Sequence, residues 1–362
     1  MRCLDSGSSK GPMTIDETLS RRLACVSFVC ACLVVSIHVV CDTEPETMGW
    51  WLTHMFLPGG LTRAMVPLFF VISGFLLAGK MGQTGWWRRE NLKRIRTLLI
   101  PYVSWNLIYW CFLLALASVT ALFGQKFGDQ TWADVSLAEV YRVLGINIFM
   151  CPGLPLLWYV RCLIVYVVLS PILLPLKKRN GWPLIVGLWV LACYVPDMIP
   201  VDGEGWKVGF YRSNLFWGFV YFAVGVYLRW NPIRIVYRKC VGFVAALLAI
   251  TMQVYCLQVT TCSDLCRMIS TPIIMLALWC LVPPLSLRKE WGGVSFAIYI
   301  LHPFVITVIL ALARVVGLKD ALQHSAVAYF LQVPIIVCAI VGVVALARRF
   351  CPRITAFLLG GR

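Results

Sequence analysis

The chain has 362 residues, 60% of them hydrophobic and only 13% charged, and its mean hydropathy is +0.82. Soluble domains are roughly 45–50% apolar and about 25% charged, so a soluble globule is excluded, and disorder requires low hydrophobicity. Lys and Arg outnumber Asp and Glu by 32 to 16, a net +16. In a soluble protein that excess would suggest nucleic acid, but in a membrane protein it is the expected bias of the cytoplasmic loops.

A membrane span needs about 20 mostly apolar residues. Ten segments qualify: 24–41, 64–79, 97–123, 157–176, 183–201, 212–229, 240–258, 266–284, 292–316 and 325–347. They predict an all-α polytopic membrane protein with about ten transmembrane helices. With the N-terminus in the cytoplasm, 23 of the 32 basic residues fall on the inner side, and 11 of the 16 acidic residues fall on the outer side. This alternation supports the orientation, with both termini cytoplasmic. It also accounts for the charge without nucleic acid and makes the lipid bilayer the obligatory partner. The expected organisation is a cytoplasmic segment over 1–23, one membrane domain over 24–347 and a cytoplasmic tail over 348–362.

The polar segment 1–23 ends in Arg21-Arg22 and leads into the first apolar run. No small-residue cleavage site follows, so the run reads as an uncleaved span rather than a signal peptide. Ionisable residues inside spans are costly and tend to mark cavities. His38 lies near the outer end of the first span, and its imidazole is suited to general-base work or to an interfacial hydrogen bond. Asp42, four residues on, would share its helical face and can orient the ring, or it is simply the first loop residue.

Arg63 opens the second span from the outer side; it either snorkels to the headgroups or meets an anionic group. Further along, the basic stretch Arg88-Arg89-Glu90-Asn91-Leu92-Lys93-Arg94-Ile95-Arg96 is a positive-inside anchor, or a landing site for a phosphorylated ligand at Arg94 and Arg96. Segment 124–156 is the longest outer loop. Arg161 lies within the fourth span, a depth at which an Arg calls for an acidic partner or an anionic ligand. In the ninth span His302 precedes Pro303, which removes a helical N–H. It is either a packing histidine or a cavity residue.

The 16 cysteines are scattered, many inside apolar runs, where they serve as small hydrophobes. No pattern has zinc spacing, so no metal is expected. Cys41, Cys151, Cys262 and Cys266 fall near the outer side, where a disulfide among them stays open.

These residues sit in ordered short motifs: Val-Val-Ser-Ile-His38 closing the first helix; Val66 to Phe75, reading Val-Pro-Leu-Phe-Phe-Val-Ile-Ser-Gly-Phe; Lys93-Arg94-Ile95-Arg96 followed by Ile100-Pro101-Tyr102; Leu157-Trp158-Tyr159-Val160-Arg161; Ser170-Pro171; and Ser295 to His302. Together they resemble the integral-membrane acyltransferase family three, bacterial enzymes that acylate cell-envelope glycans. The resemblance spans about residues 20–350. It implies a ten-helix fold, an acyl-CoA donor and His38 as the catalytic histidine. Arg63 and Arg161 match positions often occupied by basic residues. One departure concerns the Arg that the family commonly carries eleven residues before the histidine, where this chain has Ser27.

The expected activity is therefore O-acyl transfer, acetyl before succinyl, from acyl-CoA to a glycan hydroxyl or lipid-linked acceptor in the bacterial inner (plasma) membrane. No tightly bound cofactor is expected; acyl-CoA is a substrate. Two other readings remain open at this point: a transporter or flippase of an envelope precursor, and a non-catalytic acyl-CoA-binding member.

Overall fold

The computed structural model describes residues 12–122, 152–198, 205–258, 263–285 and 291–361, apart from positions 40, 42, 45, 46, 58 and 59. Every regular element among them is helical. Helix α1 spans Glu17–His38 and starts where Asp16 caps it, its side chain accepting from the Leu19 N–H at 2.7 Å. A 3-10 turn at Leu61–Ala64 leads into α2, Met65–Ala78. Helix α3, Trp86–Arg94, passes through a π-helical turn at Ile95–Leu99 into α4, Ile100–Leu122. Helix α5, Trp158–Leu169, unwinds into a 3-10 stretch at Ser170–Lys177 that holds Pro171 and Pro175.

The second half contains α6 (Trp182–Met198), α7 (Gly205–Trp230), α8 (Arg238–Gln258), α9 (Ser263–Leu281), α10 (Trp291–Val315), α11 (Ala326–Phe350) and the short α12 (Pro352–Leu358). Among the described residues, seven helices are long and apolar enough to cross a membrane. Each of the three remaining expected spans coincides with a helix: α6, α7 and α9. The chain is an all-helical integral membrane protein. The expected boundaries move by a few residues. The third span is the largest case, because its helix already begins at Trp86 and includes the basic stretch.

The core lies between α1, α2, α5, α7 and α10. Lipid offers no hydrophobic drive to bring helices together, so close packing of small residues must do it. At the α2–α7 crossing, a Cβ on Gly74 would sit 2.0 Å from the Phe222 carbonyl oxygen, and one on Gly225 would sit 2.0 Å from that of Val71. The two backbones meet through these glycines, and this explains the Gly of the Val-Ile-Ser-Gly-Phe motif. Helix α1 packs against α10, α2 and α11. Its N-terminal half and that of α10 lie together, since Ser27 and Ser295 line the same cavities. Its C-terminal end meets the middle of α10.

Of the four outer cysteines, Cys41 is a buried free thiol. Cys151 and Cys262 lie outside the described residues, as does the Cys266 side chain.

Candidate active site

Helix α1 delivers His38 from its last residue. The carbonyls of a last turn have no helical donor, and here a neighbour supplies one. The fully buried Tyr329 of α11 donates its hydroxyl to the Ser36 carbonyl at 2.8 Å. The Ser36 hydroxyl donates to the Leu33 carbonyl at 2.7 Å. These two bonds hold the final turn of α1 in register just before the histidine. The chain then leaves the helix at Val39 in an extended conformation.

The His38 ring lies 5.1 Å, centroid to centroid, from the ring of His302. The two histidines differ in access: His38 is exposed and His302 is fully buried. His302 Nδ1 stands 2.9 Å from the Ile298 carbonyl oxygen. A carbonyl only accepts, so Nδ1 carries the hydrogen and the neutral ring keeps its lone pair on Nε2. That Nε2 is buried with no hydrogen-bond partner among the described residues. Pro303, lacking an N–H, relieves the Tyr299 carbonyl of its helical donor just below.

One turn before His302 begins a cavity of about 310 Å³. Its polar lining is Ser27, Ser73, Arg94, Tyr159, Ser295 and Tyr299, set among apolar side chains from α2, α5, α7 and α10. Ser295, Tyr299 and His302 recur at i, i+4 and i+7, so α10 presents them along one face. Ser27 and His38, eleven residues apart, share a face of α1 in the same way. The Tyr159 hydroxyl lies 3.1 Å from the Ser73 hydroxyl, and its ring makes an edge contact with Tyr299 at 5.7 Å. Tyr299 in turn donates to the Leu156 carbonyl. These contacts tie α2, α5 and α10 together around the cavity. A neighbouring cavity shares Ser27, Ile72, Leu76 and Ser295 and extends to Ile15 and Ser20.

Arg94 is at the other end of this cavity, its guanidinium 3.7 Å from Glu90. The expected pair of arginines is thus divided. Arg94 lines the cavity, whereas Arg96 sits exposed on the π-helical turn and is not part of the lining. Arg161 is buried on α5, and Arg63 is exposed on the 3-10 turn before α2. Asp42, the expected orienter of His38, lies outside the described residues.

A family model described as an acyltransferase domain, of the third acyltransferase family, matches residues 25–349. The chain belongs to this acyltransferase family. The match takes in α1 through α11 and therefore both histidines and the whole cavity. A relative is the Succinoglycan biosynthesis protein ExoH of Rhizobium meliloti (strain 1021), 23% identical over 380 residues that cover 96% of this chain and 94% of the relative. No solved structure gives a significant match. As an acyltransferase-family chain, this protein places exposed His38 against buried His302, whose helix lines an internal cavity one turn earlier at Tyr299.

Three features had no sequence signal of their own. Tyr329 reads as one aromatic among many in an apolar run. Tyr159 and Ser73 belong to different motifs, and nothing in either indicates that their hydroxyls meet. Arg229 reads as a loop cation of the inner side, yet it is buried at the end of α7.

Proposed function

We propose that the protein transfers an acyl group, acetyl or succinyl, from acyl-CoA to a hydroxyl of a cell-envelope polysaccharide or its lipid-linked precursor, in the bacterial inner membrane. The observation that carries this reading is the placement of exposed His38 against His302, one turn beyond a cavity whose far end holds Arg94. An acyltransferase needs a base that the acceptor can reach and a sheltered path for the donor, and this arrangement offers both. The relative's place in succinoglycan biosynthesis supports a polysaccharide acceptor.

In this reading the basic end of the bundle faces the cytoplasm. The anionic end of the donor rests at Arg94, with Arg96 adding charge at the surface. The pantetheine arm runs along the cavity past Ser27, Ser73 and Ser295, and the thioester reaches the histidines. Ser27, where the family commonly carries an Arg, leaves that stretch uncharged, so Arg94 takes the main electrostatic role. His38 accepts the proton of the acceptor hydroxyl as the alkoxide attacks the thioester carbonyl. The C–S bond breaks, and the thiolate of CoA leaves and takes up the proton.

His302, its Nδ1–H anchored on Ile298, keeps an unpartnered Nε2 lone pair beside the His38 ring, and a rotation of that ring during the reaction would let His302 accept its N–H and fix which nitrogen faces the acceptor. Arg161, with Arg63 at the outer rim, stabilises the developing oxyanion or the anionic acceptor. Asp42 is the alternative orienter, taking the single N–H of neutral His38 in place of His302.

The test is transfer of labelled acyl groups in membranes containing the wild type or His38→Ala. Label should reach a glycan fraction only with the wild type. Equal transfer by the variant would remove His38 from the reaction.

A further inference from the structure

At the basic end of the bundle, donor groups outnumber the acceptors that could satisfy them. Arg229, in the last turn of α7, is only 8% exposed, and its Nε and Nη1 are buried without a hydrogen-bond partner among the described residues. Its Cζ lies 4.9 Å over the Phe75 ring. The guanidinium is also pressed against the end of α2, where a Cβ on Gly79 would be 2.9 Å from Nη2. Lys80 follows directly, its Nζ 3.0 Å from Glu90. Lys177 lies 4.9 Å over the ring of Trp230, whose Nε1 is likewise buried without a partner, as is the Nε of Arg94. Glu90 takes Lys80 on Oε1, and its Oε2 lies 3.7 Å from Arg94 without a hydrogen bond; neither Arg229 nor Lys177 has an acidic partner among the described residues.

A guanidinium cannot discharge itself by losing a proton, and a buried charge is normally paired and hydrogen-bonded. The Phe75 ring attracts the cation but accepts no in-plane N–H bond. The dipole at the end of α2 favours a cation there but likewise leaves Nε and Nη1 unbonded. An anion with several oxygens would satisfy both N–H groups at once, as phosphate does for arginine. Leu76 and Leu77, one turn earlier on α2, line the internal cavity. The Arg229 guanidinium, against Gly79, therefore stands within about one helical turn of residues that line the path assigned above to the donor.

We propose that Arg229, flanked by Lys80 and Lys177, forms a phosphate-ester subsite distinct from Arg94. Resting on the donor reading above, it takes a phosphate of the donor's nucleotide end; a lipid headgroup phosphate offers the same chemistry.

The test uses the full chain in nanodiscs of phosphatidylcholine, with inorganic pyrophosphate and CoA as probes. Pyrophosphate should raise the melting temperature of the wild type, and Arg229→Gln should abolish that rise. The same variant should weaken CoA binding at least tenfold, and Arg229→Lys should restore most of it. Unchanged responses of Arg229→Gln to both probes would overturn the subsite. If the wild type responds to pyrophosphate through Arg229 but does not bind CoA, the subsite stands and the donor reading fails. Discs with added phosphatidylglycerol separate the sources: loss of the wild-type pyrophosphate response there makes the headgroup the occupant, and persistence makes it the nucleotide. Should Arg229→Gln not fold, Lys80→Gln, altering a partly exposed side chain, replaces it. Unaltered pyrophosphate and CoA responses in that variant would overturn the proposal equally.

Discussion

Replacing Tyr329 with Phe removes one hydroxyl and leaves the ring in its buried site. That hydroxyl donates to the Ser36 carbonyl at 2.8 Å, two residues before His38. A buried acceptor left without its donor costs about 1–3 kcal/mol. Here the cost falls on the last turn of α1, whose carbonyls have no helical alternative. The turn can recover part of it only by fraying, and fraying displaces His38. If about 1.4 kcal/mol of that cost is felt as misplacement of the base, kcat falls about tenfold, by the usual conversion of barrier height to rate. The donor KM should stay within about twofold, because the cavity and Arg94 are untouched. The assay is steady-state acyl transfer by the purified protein in nanodiscs, with the melting temperature taken in parallel. A wild-type kcat in Tyr329→Phe, with or without a lower melting temperature, would refute the idea that this bond positions the histidine.

Gly74→Ala should lower the melting temperature sharply. Its Cβ would sit 2.0 Å from the Phe222 carbonyl oxygen, where ordinary contact starts near 3.4 Å. Overpacking of this kind costs about 1–3 kcal/mol or more, so thermal unfolding followed by size-exclusion chromatography that shows no loss would contradict the α2–α7 crossing. Arg94→Gln should raise the donor KM about tenfold or more, the worth of a hydrogen bond to a charged group being about 1.5–3 kcal/mol. Arg96→Gln, off the cavity, should change it by no more than about threefold; equal effects would contradict the division between them. His302→Gln should lower kcat by at least about tenfold while leaving the donor KM in place, since the reading gives it an orienting role. An unchanged kcat would make it a packing residue.

Much of this architecture was legible in the sequence because lipid imposes simple demands. Long apolar runs bounded by charge predicted the helices, and every expected span coincides with one. His38 and His302 stood out for being ionisable within such runs, and the structure brings their rings together. What binds the site was less visible. Tyr329 supports His38 from 293 residues away in the chain, a contact set by helix packing rather than local pattern. Arg229 was masked by its own explanation: a basic residue at an inner helix end is expected on charge grounds, and only packing reveals that it is buried and unbonded. Arg94 and Arg96 are alike in type, but two residues apart on a helix they point to different faces, so one lines the cavity and the other does not.

The central claim is that His38 moves an acyl group onto an envelope glycan. The most direct measurement incubates membranes containing the wild type or His38→Ala with acyl-labelled acetyl-CoA, then succinyl-CoA, and an envelope-glycan extract. Both proteins are first shown to be folded at equal abundance. The account predicts label in a glycan fraction for the wild type and none above background for the variant. Equal labelling by both proteins, or none from either donor while CoA binding is intact, would contradict it.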